Sequence, residues 1–590
     1  MKDLKRTHYN TGLSENNIGE KVCVMGWVQK QRDIGTLIFV DLRDRTGIIQ
    51  LAFGENTDRE VFDKAVKLRS EYVIAAEGIV RSRGEDANKD RKTGAIEIDV
   101  TNLVIYSEAE TTPFLIDDNE NVNEELRLKY RYLDLRRPTL NSNLIFKHNV
   151  QRITRNYFYD NDFIDIETPN LIKPTPEGAR DYIVPSRVHK GKFYVLPQSP
   201  QIYKQLLMVA GFDRYFQIAK CYRDEDLRAD RQPEFSQIDI EMSFMDEDEI
   251  FELLEGFMKK LFKETIDVEL QLPLKRMVYA EAMERYGSDK PDLRFGYELV
   301  DLTEAVRGCS FKVFSDTVEN GGKIKGIKID GEAENFSRKD IDSLTEYVKT
   351  YKAKGLAWYK NTESVTSSYS KFLTDEENQK ILNKIEAKKG DIIFIVADKA
   401  EVVADSLGSL RCEIAKRKNK IPRNVFCPLW VTDFPMFEYD ADDGRWYAKH
   451  HPFTMPKPDE LHMLDTTPEK INARAYDLVI NGWEVGGGSI RINNPEIQQR
   501  ILEFLGYSQE DAYERFGFLL DSYKYGAPQH GGVAFGIERL TCILLGLTNI
   551  RDVIAFPKVQ NASELLSGAP SFADAKALDD LGIIIKPDTK

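Results

Sequence analysis

Between Cys221 and Glu241 the chain reads C-Y-R-D-E-D-L-R-A-D-R-Q-P-E-F-S-Q-I-D-I-E. Arg223, Arg228 and Arg231 stand here among seven acids and one phenylalanine, Phe235. So much charge is hard to reconcile with an element that does nothing but pack. Arginine forks recognise phosphate and carboxylate, carboxylates hold Mg²⁺ or an amine, and a phenyl ring offers a face to a base. The ordinary reading of a charge run is a solvated hairpin. Two distant segments argue against it.

One is Gly531 to Leu540, G-G-V-A-F-G-I-E-R-L, followed by the apolar T-C-I-L-L-G-L. Its glycines allow close approach of backbone or ligand, and an arginine at the strand-to-helix junction is placed to meet a phosphate. The other is Phe163 to Leu171, F-I-D-I-E-T-P-N-L, read as an alternating strand ended by Pro169. The three segments resemble motifs 2, 3 and 1 of the class II aminoacyl-tRNA synthetases. The runs T-P-E-G-A-R-D-Y (Thr175 to Tyr182), P-Q-S-P-Q-I-Y-K (Pro197 to Lys204), H-H-P-F-T (His450 to Thr454) and W-E-V-G-G-G-S-I-R-I (Trp483 to Ile492) are similar to the bacterial aspartate branch of that class. The resemblance runs from Gly19 almost to the last residue.

Composition bounds the rest. With 590 residues, 42% hydrophobic and 30% charged, the chain reads as a soluble protein of several domains. The start, M-K-D-L-K-R-T-H-Y-N, has no apolar stretch of a secretory signal, and no run approaches the roughly 18 residues that span a bilayer. Six scattered cysteines without C-x-x-C spacing argue against zinc ribbons and disulfide frameworks. A cytoplasmic protein without membrane or DNA partners is expected. The net charge of −15 points away from RNA when taken alone. The run Arg127, Lys129, Arg131, Arg136 and Arg137, opposed only by Asp134, is the local basic patch that a tRNA would need.

Residues 21 to about 106 hold five strand-like runs and one helix near Asp58 to Arg69, which suggests an OB-fold barrel. In T-L-I-F-V, Ile38 and Val40 oppose Leu37 and Phe39. Phe39 alone reads as core; the resemblance implies instead that it stacks on an anticodon base, with Gln50 and Glu97 reading bases and Arg32, Arg43 and Ile34 nearby. The expected fold class is multidomain α+β: OB-fold barrel at 1–106, hinge at 107–138, antiparallel-sheet catalytic domain at 139–290 and 428–557, inserted α+β domain at 291–427, and C-terminal extension at 558–590. Within the insertion, S-R-K-D at Ser337 resembles a capping box before a helix with Leu344, Tyr347, Val348 and Tyr351 on one face. Thr374 to Glu377 starts another helix, and D-I-I-F-I-V-A-D is a buried strand.

The resemblance implies a two-step reaction. Aspartate attacks the α-phosphorus of ATP, and the resulting aspartyl-adenylate passes its aspartyl group to the 3′-adenosine of tRNA(Asp). Positioning and charge stabilisation would carry it, since no Ser–His–Asp or Cys–His arrangement is evident. Arg223 and Arg539 are the catalytic candidates. Asp224, Glu225, Gln232, Phe235, Glu484, Gly536, Ile537 and Glu538 join them as ATP contacts, and Asp477 with Glu484 would hold Mg²⁺. The aspartate side chain would meet Lys204 and Arg491, and its ammonium Glu177, Ser199, Gln201 and Asp239, with His450 and His451 beside them. Asparagine would be refused because its amide leaves buried cations without counter-charge. Pro169 implies a homodimer interface.

The rivals are an asparaginyl or lysyl enzyme of the same architecture, and a tRNA-binding paralogue without chemistry, which fold alone does not exclude. A non-discriminating form that also charges tRNA(Asn) stays open. Ile34, in R-D-I-G-T-L, leans toward the discriminating kind.

Overall fold

A computed structural model describes residues 4–174 and 178–586. The chain divides into two compact units, Met1–Ile145 with Arg551–Ser571, and Phe146–Ile550 with Phe572–Lys590.

The first unit is built on a closed five-stranded barrel. Strand Lys21–Asp33 is long enough to pair with Ile38–Arg43 on one side and Val73–Ser82 on the other; Ile48–Phe53 and Ile96–Ser107 complete the ring. Closure leaves no free sheet edge. Ile38 and Val40 are fully buried in the barrel core, whereas Phe39 lies half-buried on the outer face. Helix Arg59–Val66 begins where Asp58 accepts a hydrogen bond from the Glu60 amide.

The basic run that the sequence offers as a tRNA patch is spent inside this unit. Asp134, wholly buried, accepts from Arg127 at 2.8 Å and Arg131 at 2.6 Å and lies 3.8 Å from Arg137. Arg131 also donates to the carbonyls of Arg551, Ile554 and Ala555. Arg136 and Arg43 share Glu71. Arg43, a candidate nucleic-acid contact in the sequence, is therefore buried and paired. Only Lys129 of the run is exposed. Buried charges need partners, and they come from Asp134 within the run and from Glu71 far along the chain.

The second unit carries an eight-stranded sheet in the order Lys275–Val278, Pro428–Thr432, Ala475–Ile480, Trp483–Ile490, His530–Gly536, Glu234–Ser243, Arg214–Tyr222, Ile164–Asp165. Its pairings are antiparallel except at the two ends. Helix Glu247–Ile266, opened by a capping box between Asp246 and Glu249, lays Phe251, Leu254, Phe257 and Phe262 on one face. Ile238, Ile240 and Met242 point into that core. The period of two along a strand then sends Gln237, Asp239 and Glu241 to the opposite face.

The expected strand ending at Pro169 is shorter than the sequence suggests. Only Ile164–Asp165 pairs, and the backbone is irregular through the exposed Pro169, since proline cannot extend a ladder.

Residues 299–417 form a second sheet of five antiparallel strands with helices on both faces. Strand Ile392–Asp398 is its middle: Ile392, Phe394 and Val396 face one core, Ile393 and Ile395 the other. Helices Arg338–Lys349 and Asp375–Lys384 each start with a capping box, Ser337 with Asp340 and Thr374 with Glu377. Among the described residues, no helix is long and apolar enough to cross a membrane.

Candidate active site

Above the polar face of the eight-stranded sheet lies a cleft of about 770 Å³. Its floor is a buried charge cluster. Lys204, from helix Gln201–Val209, stands 2.7 Å from Asp239 and 3.6 Å from Glu241. Arg491 grips Glu241 with two parallel N–H bonds of 2.8 and 2.9 Å. Its third nitrogen donates to Ser489 at 2.6 Å and to His451 Nε2 at 2.9 Å. All four charged side chains are 2% exposed or less. The close fit of Glu241 requires Gly532 opposite it, where a Cβ would fall 2.2 Å from the carboxylate.

Two cations and two carboxylates thus neutralise one another before any ligand arrives. This corrects the expectation that Lys204 and Arg491 await a counter-charge; desolvated ions are too costly to leave unpaired. The donors still free to meet a ligand carboxylate are further N–H groups of Lys204; the third Arg491 nitrogen reaches a ligand by exchanging Ser489 or His451 for it. Burial raises the Asp239 carboxyl, with Lys204 pulling against it. Burial would raise Glu241 as well, but Arg491 and Lys204 outweigh it and hold it below the usual range. Burial and the neighbouring Arg491 keep His451 neutral. Burial likewise pushes His450, which stacks edge-on against Phe434 at 4.8 Å, down to about 4.

At the other end of the cleft Asp477 and Glu484 come from neighbouring strands, offset by an irregularity in register between Leu478 and Val479. Asp477 is buried and its Oδ1 lacks a hydrogen-bond partner. A side chain at Gly487 would put its Cβ 2.7 Å from that oxygen. Burial and the Glu484 charge raise the Asp477 carboxyl well above its usual range. Glu484 stays low because Lys290 and Arg539 offset its burial. Among the described residues no cluster of three or more His, Cys, Asp or Glu could hold a metal by itself. An orphaned buried oxygen beside a second carboxylate fits a divalent cation that takes its other ligands from phosphates and water.

Between the two ends, the Arg223 guanidinium lies 5.1 Å from the Phe235 ring centre, on a face expected to receive a base. Arg539 donates to the Glu484 carbonyl at 2.5 Å and to Asp230 at 3.3 Å. Glu225 pairs with Arg231 at 3.0 Å. Glu538 is committed to Lys147 and the Ser236 amide. Ser199, Gln201, Gln232 and Gly536 line the cleft; Asp224 and the buried Ile537 do not. Glu177 lies outside the described residues. Sequence reading missed Glu241, although its alternation with Asp239 on one strand marks it for the same face. It also missed Ser489 and Asp230, which carry no local signal.

In the barrel unit, Arg32 bonds Gln50, Gln50 bonds Glu97 and Arg81 bonds Glu97 in one chain of 2.9, 2.7 and 2.8 Å contacts. The Arg32 guanidinium lies 5.9 Å from the Phe39 ring centre, and Ile34 is 64% exposed.

Residues 123–560 match the family of class II tRNA synthetases (D, K and N), and residues 22–106 match the OB-fold nucleic acid binding domain. The chain belongs to the class II tRNA synthetases of that group. Within it, the chain is 57% identical over 585 residues to an aspartate–tRNA ligase of Ruminiclostridium cellulolyticum, covering 99% of this chain and 98% of the relative. It is 54% identical to an aspartate–tRNA(Asp/Asn) ligase of Caldanaerobacter subterraneus subsp. tengcongensis, with coverage of 99% and 98%. Two solved structures share the fold: asparaginyl-tRNA synthetase of Pyrococcus horikoshii with asparaginyl-adenylate (TM-score 0.58, 19% identity, 94% of this chain and 98% of that one) and aspartyl-tRNA synthetase of Entamoeba histolytica (TM-score 0.57, 19% identity, 94% and 91%).

Proposed function

We propose that this chain activates L-aspartate with ATP and transfers it, through aspartyl-adenylate, to tRNA(Asp). The observation that carries the reading is one cleft with two unlike ends: the buried Lys204–Asp239–Glu241–Arg491 cluster, and the Asp477–Glu484 pair beside Arg539. The first suits an amino acid bearing a side-chain carboxylate, the second a polyphosphate.

Lys204 and Arg491, whose third nitrogen exchanges Ser489 or His451 for the ligand, take the side-chain carboxylate, and Asp239 with Gln201, Ser199 and Glu177 takes the ammonium. Arg223 leaves the Phe235 face, bridges the substrate carboxylate and α-phosphate, and frees the ring for adenine. Arg539 meets the terminal phosphate, and Gln232 and Glu225 meet the base and ribose side. No protein nucleophile is needed. The attacking carboxylate and the phosphorus are held in contact, and the arginines oppose the charge that develops on the phosphoryl oxygens. Asp477 and Glu484 would hold Mg²⁺, which neutralises phosphate charge when bound. Neutral His451 accepts from Arg491 at Nε2 and so helps to hold the guanidinium in place.

The barrel's Arg32–Gln50–Glu97 chain and Phe39 read the anticodon. The reading carries with it a cytoplasmic homodimer that pairs near the exposed Pro169, at the Ile164–Asp165 edge of the sheet. Relatives named for both tRNA(Asp) and tRNA(Asn) are compatible with a second reading, in which tRNA(Asn) is also charged.

The test is aspartate-dependent ATP–pyrophosphate exchange, then charging of purified tRNA(Asp) and tRNA(Asn) by the same preparation. Exchange with aspartate and charging of tRNA(Asp) alone supports the first reading; charging of both supports the second. Exchange with asparagine or lysine instead of aspartate sinks both.

A further inference from the structure

Lys290 stands at the acidic pair although no motif points to it. Its ammonium lies 3.5 Å from Glu484 and 3.6 Å from Asp289, and the side chain is 45% exposed. Among the described residues no other Lys, Arg or His side chain lies within 4 Å of the Glu484 carboxylate, and none lies that near Asp477. Of Glu484, Arg539 bonds only the backbone carbonyl. Both Lys290 contacts exceed ordinary hydrogen-bond lengths, as befits an ammonium shared among carboxylates rather than locked to one.

The backbone beneath it is pinned. Asp292 accepts from the Arg294 amide and guanidinium. The buried Arg411 donates to the carbonyls of Asp292, Gly296 and Tyr297 at 2.9, 3.0 and 3.2 Å. The loop is fixed while the flexible lysine stem is free to swing.

We propose that Lys290 is a stand-in cation that offsets the charge of the Asp477–Glu484 pair until a divalent metal takes its place. The proposal rests on the assignment of that pair as metal ligands. With the metal bound, the ammonium becomes a like charge and withdraws to solvent.

The test is Mn²⁺ titration of nucleotide-free protein, with free Mn²⁺ read by electron paramagnetic resonance. Removing a competing unit charge in K290M should tighten Mn²⁺ binding about tenfold or more, with K290R staying at the wild-type value. The gain should vanish in K290M/D477N. Equal affinity of K290M and wild type overturns the proposal, as does tight binding that survives D477N. Because no aspartate, ATP or tRNA is present, these outcomes stand apart from failure of the synthetase reading, which pyrophosphate exchange decides. Unchanged magnesium dependence of exchange in D477N would overturn the pair assignment and this proposal together.

Discussion

Arg491 ties more of the site together than any other side chain, because it binds Glu241 with two nitrogens and Ser489 and His451 with the third. Replacing it by leucine should abolish aspartate-dependent exchange. It should also lower the unfolding free energy by about 3–5 kcal/mol, the usual consequence of stranding a buried partner charge. Denaturant unfolding checks the second effect, and an unchanged midpoint would mean that Glu241 is not desolvated. His450 supplies a pH signature. Burial takes it from an ordinary 6.5 down to about 4, so below pH 6.5 the unfolded chain gains a proton that the folded chain refuses. Stability present above pH 6.5 is therefore lost as pH falls towards about 4. H450Q should show a shallower loss across that window; identical pH profiles would contradict the burial.

At the scale of elements, helix starts were legible and charge partners were not. Ser337 and Thr374 cap helices in the way their spacing to Asp340 and Glu377 announces, because a capping box is a local device of four residues. S337A and T374A should each cost about 1 kcal/mol, seen as faster amide exchange in the first turn of the affected helix; unchanged exchange would argue that packing alone sets those ends. The alternation in T-L-I-F-V set Ile38 and Val40 on the face opposite Phe39 without saying which face is inside; the fold buries Ile38 and Val40 and leaves Phe39 half-buried on the outer face. The run from Arg127 to Arg137 misled, since Glu71 comes from far along the chain and the burial of Asp134 leaves no trace in spacing. Glu241 and Lys290 went unread for the same reason: what makes them matter is a neighbour brought by the fold. The capping and alternation signals reach two to four residues, whereas ion pairs such as Arg491 with Glu241 reach across 250.

At the scale of the molecule, the two chemistries fall in different units. Phe39 belongs to the barrel unit, and Arg223, Phe235 and Arg491 belong to the other. F39A should therefore weaken charging of tRNA while leaving pyrophosphate exchange at the wild-type rate; a parallel fall in both would show that the ring supports the barrel instead. The return of Arg551–Ser571 to the first unit has a consequence for how the protein is made. Arg131 and Asn143 find their acceptors at Arg551, Asp552, Ile554 and Ala555. At roughly 5–20 residues per second, a ribosome that has finished Ile145 works for tens of seconds before it delivers them. During that interval Arg131 has Asp134 but not its carbonyls. The nascent N-terminal unit must wait with its last seam open while the whole of the intervening chain is synthesised.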